Sequence, residues 1–174
     1  LAKAWFDIGL VSGTNDPGNE WFAPVALVAR EPATSAAQFA RRGRRVYAPA
    51  TGVLVLTSGK RSLVRDAPVL FVGKALGPPP ARNELAGRVA LLLDAGIDTG
   101  DRQNALLAAG ASAVLTVLDG ERTLASVAAR RQRSGYALAN DTLGGDLEAF
   151  ITREAMDGLL RGGVNRGVAR LQAL

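Results

Sequence analysis

Three aspartates, Asp94, Asp98 and Asp101, stand close together between two apolar runs. Carboxylates at such spacing can hold a hard cation such as calcium, but the stretch lacks a twelve-residue loop closed by a glutamate. The same residues suit a helix start, where Asp98 or Thr99 can cap the first turn. Ser12, Ser58 and Ser112 carry hydroxyls, yet the sequence has no histidine to act as a partnered base. Without histidine there is no Ser-His-Asp triad and no His-Glu-x-x-His zinc site. Without cysteine there is no thiol nucleophile, disulfide or thiolate metal site. Gly144-Gly145-Asp146 and Gly162-Gly163 match neither G-x-G-x-x-G nor the Walker pattern and fall where turns are needed. No catalytic residue, cofactor ligand or metal ligand is therefore assigned.

The elements that position the aspartates come next. Val89 to Leu93 is a short apolar run bounded by Gly87 and Asp94, which reads as a strand buried on both faces. A helix is expected over Asp101 to Ala109, with Gly110 as its left-handed stop. Ala113 to Leu118 reads as a second buried strand, making a βαβ unit with a right-handed crossover. Ala105, Leu106, Ala108, Ala109 and Ala111 are mostly small and are expected to let the helix lie close to the sheet.

Around this unit the spacing predicts a helix over Ala2 to Leu10 and a loop from Ser12 to Glu20. A strand over Trp21 to Val28 is placed at an edge or bulge by Pro24. Thr34 to Arg42 is read as a strand turning at Gly43, against a short helix capped by Ser35. Strands are expected at Arg45 to Ala48, Val53 to Thr57 and Ala67 to Gly73. Thr123 to Arg133 has helix spacing, Tyr136 to Gly145 reads as a loop, and Leu147 to Ile151 alternates as a strand. Thr152 caps a helix with an apolar face of Ala155, Met156, Leu159 and Leu160, and Val168 to Leu174 reads as a final strand.

The phrase LAGRVALLL…NALLAAGASAVLTVLD resembles the core of the protease-associated domain, a non-catalytic module found within or beside several peptidase families. APVLFVG, from Ala67 to Gly73, is similar to a segment of that family. FITREAMDGLL, from Phe150 to Leu160, resembles its closing strand and helix. The resemblance covers about residues 68–160, and 1–30 look like a lead-in helix and strand from a host peptidase, so 1–174 is read as one such domain with flanking extensions. It implies an α/β (mixed α+β) fold, a swivelling three-layer β/β/α arrangement with helices on one face. The implied role is an accessory module of a secreted or periplasmic zinc-dependent aminopeptidase, covering the active-site cleft and meeting the host catalytic domain and peptide substrate. The host's zinc ligands are expected outside this chain, which begins at Leu1 and reads as a piece of a longer protein. Where many members carry Arg-Gly-Gly-x-Cys-x-Phe, this chain has Asp94-Ala95-Gly96-Ile97-Asp98-Thr99-Gly100. Recognition is expected from loops, with Asp94, Asp98, Thr99 and Asp101 in one and Tyr136, Asn140 and Asp141 in another, both beside the carboxyl ends of the central strands.

Composition limits the alternatives. The 174 residues are 48% hydrophobic with 5% aromatics, so a core of Val, Leu and Ala is expected and disorder is excluded. No stretch is long enough to span a membrane. The net charge is +5, but Arg41-Arg42-Gly43-Arg44-Arg45, Lys60-Arg61 and Arg130-Arg131-Gln132-Arg133 are scattered and have few interleaved aromatics. They read as solvated surface and not as a nucleic-acid site. The second reading is a stand-alone α/β ligand-binding domain or small enzyme, which the missing His, Cys and phosphate fingerprint disfavour.

Overall fold

Val89–Leu93 (β6) is the strand on which the larger sheet is built, because both of its faces are apolar. The computed structural model describes residues 2–10, 13, 25–30, 35–46, 48–57, 63–132, 134–138 and 147–160. These divide into two compact units, one from Leu1–Arg30 and Gly135–Asp141, the other from Glu31–Ser134 and Thr142–Leu174. The protein is of the α/β class, with a mixed five-stranded sheet and helices.

In the larger unit the sheet joins β4 (Val53–Thr57), β5 (Val69–Phe71), β6, β7 (Ala113–Val117) and β9 (Leu147–Ile151) in the order β4-β9-β7-β6-β5. β5, β6, β7 and β9 run parallel, and β4 closes one side antiparallel to β9. The chain links the parallel strands through α2 (Arg82–Leu85), α3 (Thr99–Ala108) and α4 (Leu124–Arg131). Period-two alternation sorts the side chains between the two faces. Ala90, Leu92 and Val114 meet Leu85 of α2 and Leu106 of α3, while Phe150 meets Val127 of α4. On the other face Leu91, Leu93, Leu115, Val117 and Ile151 meet Ala155, Met156 and Leu159 of α5 (Arg153–Leu160). Phe39 and Val46, from the hairpin of β2 (Phe39–Arg41) and β3 (Arg44–Val46), pack against the same cluster.

Of the stretch expected as a strand over Thr34 to Arg42, Phe39–Arg41 is strand, residues 35–38 have no regular structure and residue 34 lies outside the described residues. The two central residues of the hairpin, Arg42 and Gly43, both have positive φ, 50° and 75°, the pattern of a type I′ turn. The βαβ core follows the expected order, with β6 and β7 parallel and Gly110 (φ 112°) ending the helix. α3 begins two residues earlier than expected, at Thr99, and its sheet-facing side is not the one expected. Thr99, Gln103 and Leu106 are buried, whereas Ala105 and Ala108 face solvent and Ala109 is half-buried. Thr123 caps α4 by accepting a hydrogen bond from the Ser126 N–H, and Thr152 Oγ1 accepts one from the Ala155 N–H at 3.1 Å.

The smaller unit contains α1 (Ala2–Asp7) and a two-stranded antiparallel ribbon of β1 (Leu27–Arg30) and β8 (Gly135–Leu138). The helix is shorter than the Ala2 to Leu10 span read from spacing, and β1 begins at Leu27. Tyr136 to Leu138, expected as the start of a loop, belong to β8 instead, because they pair with β1. The expected turns and strands at residues 14–24, 58–62, 139–146 and 161–174 lie outside the described residues. Among the described residues no helix is long and apolar enough to cross a membrane.

Candidate recognition site at the carboxyl edge of the sheet

Parallel sheets expose the carboxyl ends of their strands to connecting loops, and ligands usually bind there. In this sheet Asp94 directly follows β6, and its N–H donates to the Val117 carbonyl at 2.9 Å. That hydrogen bond extends the β6–β7 ladder by one residue and turns the aspartate side chain inward. Its relative exposure is only 3%. A carboxylate this buried requires compensating charge and donors. Arg122, from the loop after β7, supplies two: Nε donates to Oδ2 at 2.8 Å and a terminal nitrogen donates to Oδ1. The Thr99 hydroxyl donates to Oδ1 at 2.6 Å and the Gly96 N–H donates to it at 3.1 Å. Burial pushes the Asp94 carboxyl up. The Arg122 and Thr99 hydrogen bonds, the Arg122 charge and the Gly96 N–H outweigh it and hold the carboxyl below its ordinary value.

Thr99 completes the arrangement. Its Oγ1 accepts from the Ala95 N–H at 2.9 Å while its proton goes to Asp94, so the turn 95–98 is fixed at both ends. Asp98 is the residue before α3 but makes no side-chain cap; its carboxylate lies 3.6 Å from Arg102 and is well exposed. Asp101 is exposed on the first turn of α3. The three aspartates therefore part company: one is a buried anchor and two are solvent-facing charges. Among the described residues no group of three or more His, Cys, Asp or Glu side chains stands together as a metal site would require.

One turn further along α3, Gln103 is fully buried and its Nε2 donates to Thr116 Oγ1 of β7 at 2.8 Å. Behind it Glu148 of β9 is buried and paired with Arg131 of α4. These polar pairs lie on the helix-covered face of the sheet and are satisfied there. Sequence reasoning missed Arg122, Gln103 and Thr116. Only Arg122 left a trace, as a cation just after the Asp119-Gly120 turn that closes the next parallel strand.

Of the second expected loop only the first three residues, Tyr136 to Leu138, are described. Tyr136 sits in β8 of the smaller unit and is 77% exposed, while Asn140 and Asp141 lie outside the described residues. Leu147, where the chain enters β9, is in register with Ala113 at the start of β7. That is the amino edge of the sheet, opposite Asp94. The structure thus brings Asp94 and Thr99 together, with Asp98 and Asp101 on exposed positions of the same turn and helix.

The order of the strands bears on where a crevice can form. Strands β5, β6, β7 and β9 succeed one another in one direction, and the helices between them pack on one face. Among the described residues no reversal of strand order separates two loops at the carboxyl edge, so these strands form no switch-point cleft. The loops after β6 and β7 are instead tied to each other by Asp94 and Arg122. No protein-family model matches the chain, and no curated protein matches it.

Proposed function

We propose that this chain is a non-catalytic protease-associated module of a zinc-dependent aminopeptidase-like exopeptidase, where it covers part of the active-site cleft and governs peptide access. The observation that supports this reading most is the placement of the segments that carry the resemblance. APVLFVG falls on β5, GRVALLL on β6, NALLAAGA on α3 and its stop, AVLTVLD on β7, and FITREAMDGLL on β9 and α5. They form successive elements of one sheet and its covering helices, as a single inherited module would. The tied carboxyl edge is also in keeping with it, since Asp94 is committed to Arg122 and Thr99 and is not free for proton transfer.

Zinc belongs to the proposed host domain. The residues here do not fit it: there is no histidine or cysteine, and the one aspartate buried among the described residues has its oxygens taken. The chain's contribution to the host is a rigid edge from which Asp98 and Asp101 present negative charge toward an approaching peptide.

The test has two parts. The isolated chain is incubated with aminoacyl-nitroanilides and zinc, and no turnover is expected; turnover that follows the purified protein overturns the non-catalytic role. In the full-length host, Asp98→Ser with Asp101→Ser is expected to change KM for long peptides while sparing the smallest substrates. These positions are exposed, so folding is kept. Unchanged kinetics toward long peptides would remove the cleft-covering role.

A further inference from the structure

Strand β5 is the free side of the five-stranded sheet: among the described residues no strand lies beyond it. Its pairing with β6 is parallel, with Val69 opposite Val89 and Phe71 opposite Leu91. The Val72 N–H donates inward to the Leu91 carbonyl at 3.0 Å. In a parallel ladder alternate residues turn both main-chain groups to the same side. Leu70 and Val72 therefore serve β6, and Val69 and Phe71 direct their N–H and C=O groups away from the sheet. Such an edge is a template for one more strand unless something blunts it.

Beside the edge lies a groove of about 370 Å³ between β5, the 75–80 turn and α2. Leu70, Val72, Leu76, Pro78 and Pro80 line its apolar part, and Leu76 is 76% exposed. The one charged lining residue is Glu84. Its Oε2 accepts from the Ala81 N–H at 3.2 Å, which holds the carboxylate in place and leaves Oε1 open. Unused main-chain donors and acceptors are matched by another extended backbone, an apolar groove by alternate side chains of that strand, and a lone carboxylate by a cation. We infer that β5 is a docking edge for an extended peptide segment, which adds as a sixth strand, sets apolar side chains in the groove and brings a Lys or Arg to Glu84. The inference rests on β5 and its groove and stands whether or not the chain serves a peptidase.

The probe is acetyl-Leu-Thr-Lys-Thr-Leu-amide, which puts Leu, Lys and Leu on one side of an extended chain. Two N-methylated isomers accompany it, one methylated at both Thr nitrogens and the other at the Lys and second Leu nitrogens. Binding is followed by calorimetry and by amide chemical shifts. The expected result is saturable binding, with one isomer weakened by about tenfold or more and the other nearly unaffected, because only alternate N–H groups face β5. The shifts should centre on Val69 and Phe71. Val69→Pro removes an outward N–H at the first residue of an edge strand, where proline is tolerated. It should weaken the probe by about tenfold with the unfolding midpoint kept. Glu84→Gln should weaken the lysine probe several-fold and leave its all-leucine counterpart unchanged. The inference is overturned if both isomers bind alike, if the shifts lie elsewhere, or if no binding is seen at millimolar peptide.

Discussion

Replacing Arg122 by methionine isolates the link between the loops after β6 and β7. Methionine keeps much of the side-chain stem and removes the two charged hydrogen bonds to Asp94. Asp94 would remain buried, with only the Thr99 hydroxyl and the Gly96 N–H as donors. Removing one partner of a fully buried ion pair costs about 3–5 kcal/mol, because a charge is left uncompensated. Arg122 is 29% exposed, so water can reach part of the gap, and two donors stay. The expected loss at neutral pH is therefore about 2–4 kcal/mol, in line with two hydrogen bonds to a charged group. Urea unfolding followed by far-ultraviolet circular dichroism, which reads the helices and strands directly, measures it.

The pH dependence gives a second, independent reading. In the native protein the folded Asp94 carboxyl titrates below its unfolded value of about 3.9, so its stabilisation is full above that value and fades as pH falls through the folded one. In Arg122→Met burial prevails, and the carboxyl should titrate above its unfolded value. The variant then loses stability as pH rises from about 4 toward its raised value. The gap between the two proteins should be wide at neutral pH and narrow near about pH 3. Adding Asp94→Asn to Arg122→Met should recover much of the loss. A loss of under about 0.5 kcal/mol, as for an exposed pair, or a gap that does not change with pH, would refute the reasoning.

Two further substitutions test the packing. A Cβ added at Gly52 would lie 2.6 Å from the Ala155 Cβ of α5, so Gly52→Ala should destabilise by about 1–3 kcal/mol, read as a lowered denaturant midpoint. Ala108→Leu should leave the midpoint within about 0.5 kcal/mol of the original because Ala108 faces solvent, whereas Ala109→Leu should lower it by about 1–3 kcal/mol against the Leu85 cluster.

The strands that sequence reasoning placed best are those whose signal is local. β4 and β9 fall where the apolar patterns end, and the hairpin at Arg42-Gly43 is marked by its turn. The buried side of α3 was hidden because alanine is compatible with either face, and the residues that face the sheet, Thr99 and Gln103, are polar. Their burial depends on partners in other elements, Asp94 and Thr116, which no helical period reveals. The role of Asp94 was likewise illegible, since its Arg122 partner stands on the loop after a different strand. Tyr136 to Leu138 has too short an apolar pattern to mark a strand, and only its pairing with β1 makes it one.

That pairing has a consequence for the order in which the chain assembles. β1 and β8 are each four residues long, yet residues 31–134, the longer of the two segments of the larger unit, lie between them. Closing a free loop of about a hundred residues carries an entropy penalty of about 4 kcal/mol, and a two-stranded ribbon is barely stable in water even with a tight turn. Four residue pairs cannot meet that penalty from an unfolded chain. Once the central sheet has formed, residues 31–134 no longer explore the space of a free coil and most of the penalty has gone. The ribbon is therefore a late event that reports completion of the sheet. Its amides should be the first to exchange, through local opening that leaves the β6–β7 ladder intact.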